Sequence, residues 1–370
     1  MKANSQRIKE EFDRLIAIDS ESFHERAMAD AVKDILRNLG FETEEDDAGK
    51  TYGSEAGNVF GLLKGSLPGE PILFSAHMDT VKPGQGKKAI WHEDGHVSSD
   101  GTTVLGSDDV AGMVEIFEGV RLALESGRPL RDVKVLLPIA EESYVMGSAV
   151  FDENKLSCSE AYVLDLAGRV GRASLSEPSL ISFTVSIRGK AAHAGFSPES
   201  GINAIAAAAS AISRIRQGRP DPESTLNIGT IEGGAATNIV PESCICRGEI
   251  RSSSHEKALA YQSEIETIFR EEAARIGAEC EFQATVHLTA YRISESAPQL
   301  QNMLAACSRL GIKPELTTTF GGSDNNTFQK KNIPGITLGC GMYDIHSVRE
   351  YSTLQDLCMG AELVAALIGV

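Results

Sequence analysis

Short apolar runs separated by helix-period stretches constrain this chain more than any other feature. Pro71-Ile-Leu-Phe-Ser-Ala76, Val133-Lys-Val-Leu-Leu-Pro-Ile-Ala140, Ala161-Tyr-Val-Leu164 and Gly335-Ile-Thr-Leu338 read as buried strands, and Asn58-Val-Phe-Gly-Leu-Leu63 is a further short apolar run. Among them lie amphipathic patterns. One covers about Ser5 to Ile18, with Ile8, Phe12, Leu15 and Ile16 on one face; a second runs from Ser22 to Leu39 and stops at Gly40; a long one begins near Asp108 and ends before Gly127. Strands and helices alternating in this way build an α/β sheet.

Near residue 178 the period changes. Ile181-Ser-Phe-Thr-Val-Ser-Ile187 alternates strictly, as a strand with one wet face does. An Ala-rich helix from about Gly201 to Gln217 follows, then strands from Leu226 to Ile231 and Cys244 to Ile250, a helix from His255 to Ile276 and a strand from Glu281 to Leu288. That β-α-β-β-α-β order is the order of a ferredoxin-like sandwich. After Ser296 the first pattern resumes, with a helix to Leu310, strands near Leu316 to Phe320 and Gly335 to Leu338, and a last helix from Thr353. The expected fold class is therefore α/β: a mixed sheet flanked by helices, built from residues 1–178 plus 296–370, with an α+β ferredoxin-like domain inserted at 179–295. A chain of 370 residues agrees with about two domains.

Composition excludes several functions. With 52 acidic against 35 basic residues the net charge is −17, which argues against nucleic acid or an anionic membrane as a partner. No stretch approaches the roughly 20 apolar residues of a membrane span, and the opening residues lack the apolar run of a secretory signal. The seven cysteines are widely spaced and form no Cys-x-x-Cys, so we expect reduced thiols in a cytoplasmic protein, with neither a disulfide framework nor a thiolate zinc site. The acidic run from Glu42 to Asp47 reads as a solvated loop.

The chemistry lies at strand ends. His77 and Asp79 follow the first strand, Glu141 and Glu142 the second, Asp165 the third, and His346 comes shortly after the last; Asp108 and Asp109 sit at a helix start. In open α/β sheets the C-terminal strand ends line one crevice, so groups distant in sequence can converge there. Imidazole with carboxylate and no thiolate suits Zn²⁺, Mn²⁺ or Co²⁺. Most of these residues also have a bland explanation. A histidine beside a buried strand is commonly a satisfied core residue, Asp108-Asp109 fits helix-start acids, and Asp165 and His346 fit loops. Glu141-Glu142 resists one, because adjacent like charges at a strand mouth repel unless a cation lies there. Residues i and i+2 of a strand share a face, so Asp79 can accept the His77 ring N–H and set its tautomer.

Together, Ser75-Ala-His-Met-Asp-Thr-Val81, Gly106-Ser-Asp-Asp-Val-Ala-Gly112, Ala140-Glu-Glu-Ser143, Leu164-Asp165 and His346-Ser347 resemble the co-catalytic dizinc peptidases of metallopeptidase family 20, which includes peptidase T, carboxypeptidase G and aminoacylase. Gly101-Thr-Thr-Val-Leu-Gly106 points to the peptidase T-like branch. The resemblance implies two divalent ions, zinc first and cobalt or manganese as alternatives. His77 and Asp165 would hold one and Glu142 and His346 the other; Asp108 would bridge them, Asp79 would orient His77, and Glu141 would be the general base. The implied reaction is hydrolysis of short peptides by a metal-bridging hydroxide, in a tripeptidase- or aminopeptidase-like exopeptidase. An N-acyl-amino-acid amidohydrolase or a carboxypeptidase would share that chemistry. A non-catalytic peptide- or metal-binding relative is the alternative of another class, and the intact residue set speaks against it.

The insert carries its own marks. Gly189-Lys-Ala-Ala-His-Ala-Gly195 and Pro198-Glu-Ser-Gly-Ile-Asn-Ala204 resemble the family's lid motif, in which His193 would be an oxyanion donor. Asn238 and Arg251 match its substrate-holding pair, and an arginine fork is shaped for a carboxylate. Gly321-Gly-Ser-Asp324 resembles a loop lining the cleft. The resemblance further implies a homodimer formed through the insert. Two departures bear on cleft shape: Val110 stands where many relatives have Lys, and Leu166-Ala167 where peptidase T has Gly-Gly.

Overall fold

Four adjacent parallel strands, Val133–Leu137, Ile72–Ser75, Glu160–Leu166 and Gly335–Gly339, form the centre of the larger sheet. Val133–Leu137, Ile72–Ser75 and Gly335–Gly339 are buried at every position, which is why they read as unbroken apolar runs. On one side Val59–Leu63 and then Glu42–Glu45 add antiparallel; on the other, Arg172–Ser174 pairs antiparallel with Gly335–Gly339 and carries Glu315–Thr317 parallel to it. Parallel neighbours end at the same side of a sheet, so the residues following all four central strands are delivered to one edge.

A computed structural model describes residues 2–369. The chain forms two units: one runs to Leu175 and includes Arg292–Thr318 and the chain from Ser323 onward; the other is Ser176–Tyr291 with Thr319–Gly322. The second unit has one five-stranded antiparallel sheet in the order Gly218–Asp221, Ser224–Gly233, Ser243–Ser252, Ser179–Arg188, Glu279–Leu288. Without the short first strand this is the ferredoxin-like arrangement. Ile181, Phe183, Val185 and Ile187 point from Ser179–Arg188 into a core shared with helices Ala204–Arg214 and His255–Arg275. Asn203 and Ser254 cap those helices, accepting from the N–H of Ala206 and Lys257.

Several sequence expectations are corrected. Glu42–Glu45 is an edge strand laddered to Val59–Leu63, and its side chains are held by Arg26 and Lys33 on Glu45 and by the Arg37 guanidinium, which donates to Thr43 Oγ1. The second helix starts at Arg26, and the strand expected to reach Ala140 stops at Leu137. Glu160–Leu166 runs past Leu164, so Asp165 lies within a strand. The strand near Leu316 covers only Glu315–Thr317.

Helix Ser107–Glu125 packs against the last helix, Leu354–Ile368, at two glycines. A Cβ on Gly119 would lie 2.5 Å from Val364 Cβ, and one on Gly360 would lie 1.9 Å from the Glu115 carboxyl carbon. Gly119→Val therefore overpacks this contact and should cost about 1–3 kcal/mol. The expected readout is a lower urea midpoint with an unchanged slope; an unchanged or higher midpoint would show that the helices separate freely.

Candidate metal centre

His77 and Asp79 follow Ile72–Ser75, Glu141 and Glu142 follow Val133–Leu137, Asp165 lies in Glu160–Leu166, and His346 sits in the loop after Gly335–Gly339. The first unit brings all of them together with Asp108. Asp108 lies between the two histidines: its Oδ1 is 3.0 Å from His77 Nε2 and its Oδ2 is 3.2 Å from His346 Nε2. Glu142 Oε1 is 2.9 Å from His346 Nε2, while Asp165 Oδ1 and Glu141 Oε2 are 3.8 and 4.0 Å from His77 Nε2. His77 with Glu141 and Asp165, and His77 with Asp108 and Glu142, form two groups close enough to hold a metal ion.

Local structure explains the delivery. Asp108 and Asp109 have non-helical dihedrals, and the peptide bond between them is cis. Asp109 Oδ1 accepts from Gly112 N at 3.1 Å, as an N-cap carboxylate does, and its Oδ2 accepts from His77 N at 3.1 Å. The bland helix-start reading thus describes Asp109, while Asp108 faces the histidines. Asp79 does not reach the His77 ring as simply as expected. The nearest acceptor to His77 Nδ1 is the Asp79 main-chain carbonyl at 2.9 Å, with the carboxylate at 3.4 Å. That carboxylate braces the next strand end, accepting from Glu141 N at 2.9 Å, Glu142 N at 3.2 Å and Ser22 Oγ at 2.6 Å.

This hydrogen-bond pattern fits a cation. A carbonyl can only accept, so His77 carries a proton on Nδ1 and turns Nε2 toward Asp108 Oδ1. Nε2 must then hold a second proton or meet a metal ion. Glu142 Oε1 is buried and makes no hydrogen bond despite its closeness to His346 Nε2, as two ligands of one ion would. The electrostatics agree. Burial alone would lower the His77 pKa, but Asp108 and Asp79 outweigh it and raise it well above the usual imidazole range. Asp108 and Glu142 push His346 up to about 10. Burial opposes ionisation of Asp108, yet His346 and His77 hold its carboxyl below the ordinary range. Burial, reinforced by like charges, raises Asp165, Glu141 and Glu142.

Sequence reasoning missed Ser22 and Glu25, which precede helix Arg26–Asn38. Glu25 is fully buried; its Oε1 accepts from Ala140 N at 3.0 Å and from Phe23 N at 2.8 Å, bracing the turn that carries Glu141. An acid before a helix has many uses, and nothing local marks this one. The departures at Val110 and Leu166 are buried side chains.

His193, Asn238 and Arg251 belong to the second unit. His193 is exposed, and its Nδ1 accepts from Gly195 N and Phe196 N, each at 3.1 Å. Its neutral ring therefore carries the proton on Nε2. His193 pairs with Ile239 in an isolated bridge, which sets the exposed Asn238 beside it in the chain fold. Arg251 Nε donates to Glu249 Oε1 at 2.9 Å and Nη1 to Phe320 O at 2.9 Å.

Residues 175–277 match the peptidase dimerisation domain of the M20 peptidases, and residues 58–224 match peptidase family M28. The Bacillus subtilis protein YqjE is 36% identical over 365 residues, covering 99% of this chain and 98% of its own. The crystal structure of aminopeptidase PepT from Bacillus cereus is similar with a TM-score of 0.91 at 35% identity, covering 99% of this chain and 98% of that one. A tripeptidase structure from Staphylococcus aureus gives a TM-score of 0.95 at 30% identity, covering 100% and 98%. The chain belongs to metallopeptidase family M20, in its peptidase T-like branch. It is a metal-dependent peptidase, and it contains that family's dimerisation domain. Among the described residues no helix is long and apolar enough to cross a membrane.

The raised groups predict the behaviour of metal-free protein. His77, His346, Asp165, Glu141 and Glu142 all bind protons more tightly folded than unfolded, so stability falls as pH rises through their ranges. Asp108 acts oppositely, but its contribution is complete above about pH 5. Chelated protein should therefore melt at a lower temperature at pH 8 than at pH 6, and divalent metal should shrink the difference. Thermal melts in the reverse order would refute this account of the cluster.

Proposed function

We propose that this protein is a cytoplasmic dizinc exopeptidase that removes residues from short peptides, of the aminopeptidase or tripeptidase type, and works as a homodimer. The observation that carries this reading is Asp108 with one oxygen toward each of two histidines, and Glu141 buried beside them. In this reading His77 and Asp165 hold one ion, Glu142 and His346 the other, and Asp108 both. Two such ions, zinc in the first place and cobalt or manganese as alternatives, would acidify a water between them and polarise the scissile carbonyl.

The chain's own residues do the rest. Asp108, Glu142 and Asp165 would offset three of the four positive charges of two divalent ions, so that a bound hydroxide would complete a neutral centre. Glu141 accepts a proton from the attacking water and passes it to the leaving amine. Burial and the neighbouring acids favour its protonated form, which suits a group that must release the proton again. His193, with its ring proton on Nε2, is a donor for the oxyanion. Asn238 and the Arg251 guanidinium hold the substrate, with the arginine on a terminal carboxylate. The aminopeptidase and tripeptidase relatives support short peptides as substrates. The second reading, an N-acyl-amino-acid amidohydrolase or carboxypeptidase with the same centre, requires the Arg251 guanidinium, here paired with Glu249, to turn to the substrate carboxylate.

A panel of di-, tri- and tetrapeptides and N-acyl amino acids, assayed with Zn²⁺, Co²⁺ and Mn²⁺, separates the readings. Tripeptides or free-amine peptides should turn over fastest; faster cleavage of N-acyl amino acids would favour the second, and no turnover of any member would sink both. Glu141→Ala should keep two metal equivalents and lose about 10²–10⁴-fold in kcat. A variant with near-normal turnover would remove Glu141 from the mechanism.

A further inference from the structure

Glu350 is 1% exposed and accepts three hydrogen bonds, from Gly106 N at 2.7 Å, Ser107 Oγ at 2.7 Å and Asp108 N at 2.9 Å. All three donors lie on the turn that presents Asp108. Gly106 there has φ 78°, and the methylenes of Lys87 would lie 2.9 Å from any Cβ it carried. The turn is thus packed from one side and held by the carboxylate from the other. Burying a carboxylate is costly unless it is well bonded. Three hydrogen bonds to fixed donors offset part of that cost and hold the carboxylate in one place.

Glu350 also ends the loop that presents His346. Tyr343 and Tyr351 exchange backbone hydrogen bonds of 2.9 and 3.0 Å, and their rings stack at 4.7 Å. Residues 344–350 therefore leave and return at a fixed base. Inside the loop Glu350 N donates to Ser347 O at 3.1 Å, and Ser347 Oγ donates to Asp344 O at 2.7 Å. His346 itself has φ 59°, a sparsely populated region that the loop must enforce. The two presenting segments, 242 residues apart in sequence between Asp108 and Glu350, are joined by this one side chain.

We infer that Glu350 is a positioning residue that ties the Asp108 turn to the His346 loop and so sets the width of the metal position shared by Asp108, Glu142 and His346. The inference rests on the ligand assignment proposed above. Glu350 touches neither metal nor substrate in this role; it acts through the backbone of Asp108.

Glu350→Gln tests it. The amide oxygen can replace one carboxylate oxygen, but the amide NH₂ meets a backbone N–H donor to donor, so one end of the clamp opens. Metal-free full-length protein is titrated with Co²⁺, followed by its visible absorption and by elemental analysis. Wild type should bind two equivalents. Glu350→Gln should bind the equivalent held by His346 about 10–100-fold more weakly, and weaken it more than the other, as loss of a ligand's supporting bond does. His346→Ala should weaken the same equivalent. Two equivalents at wild-type affinity in Glu350→Gln would overturn the inference, whatever happens to its melting temperature, because a purely structural role would move only the melt. Two tight equivalents in His346→Ala, or fewer than two in wild type, would instead overturn the ligand assignment. If Glu350→Gln does not fold, Glu350→Asp, which keeps the charge on a shorter arm, is titrated and judged by the same outcomes.

Discussion

Repulsion among the carboxylates at one sheet edge is the constraint on which the rest of this structure depends. Asp79, Asp108, Asp109, Glu141, Glu142 and Asp165 are gathered there almost entirely out of water. Isolated buried carboxylates cost far more than the few kilocalories of a typical hydrogen bond, so each must be paired, protonated or coordinated. The protein resolves this in two distinct ways, and the division sorts scaffold acids from candidate ligands.

The scaffold acids are satisfied by the chain itself. Asp79 takes the N–H groups of Glu141 and Glu142, Asp109 those of His77 and Gly112, Glu25 those of Ala140 and Phe23, and Glu350 those of Gly106 and Asp108. Each link joins two of the segments that present imidazole or carboxylate to the centre, or fixes one end of such a segment. Asp108, Glu141, Glu142 and Asp165 accept no backbone N–H among the described hydrogen bonds and face imidazole instead. Backbone donors are fixed by the fold and cannot follow a proton or an ion. Acids without them are free to do so, and these are the residues to which the proposed chemistry falls.

Much of this was legible in the sequence, for a physical reason. A parallel strand is an unbroken apolar run, and the side of the sheet where it ends follows from topology, so His77, Glu141, Glu142 and His346 could be placed together from local pattern alone. The insert was legible as well, because a half-wet antiparallel strand alternates where a buried parallel one does not. What escaped was the support. Ser22, Glu25 and Glu350 act across separations of 57, 115 and 242 residues on main-chain N–H groups or an acid, and such bonds leave no periodic trace. The edge strand Glu42–Glu45 escaped for a related reason. Its charges looked solvated, and only the folded chain brings Arg26 and Lys33 beside Glu45. Asp165 escaped as a strand residue because a charged side chain interrupts the apolar run of Glu160–Leu166, so the pattern alone ends the strand at Leu164.

The nesting of the two units follows from how the larger sheet is closed. The chain leaves the first unit after Leu175 and re-enters at Arg292, and Ile293 N donates to Leu175 O at 2.8 Å, so exit and entry are adjacent. Leu175 N in turn donates to Thr317 O at 2.8 Å, and Glu315–Thr317 pairs with Arg172–Ser174, extending the sheet across the junction. An insert between two points already hydrogen-bonded to each other adds little loop-closure cost, which grows only slowly with length. Gly335–Gly339, in the middle of that sheet, lies beyond the insert, so the first unit cannot complete its core or present His346 until the returning chain has paired. The metal-facing residues all belong to the first unit, whereas His193, Asn238 and Arg251 belong to the second, which has its own sheet and core.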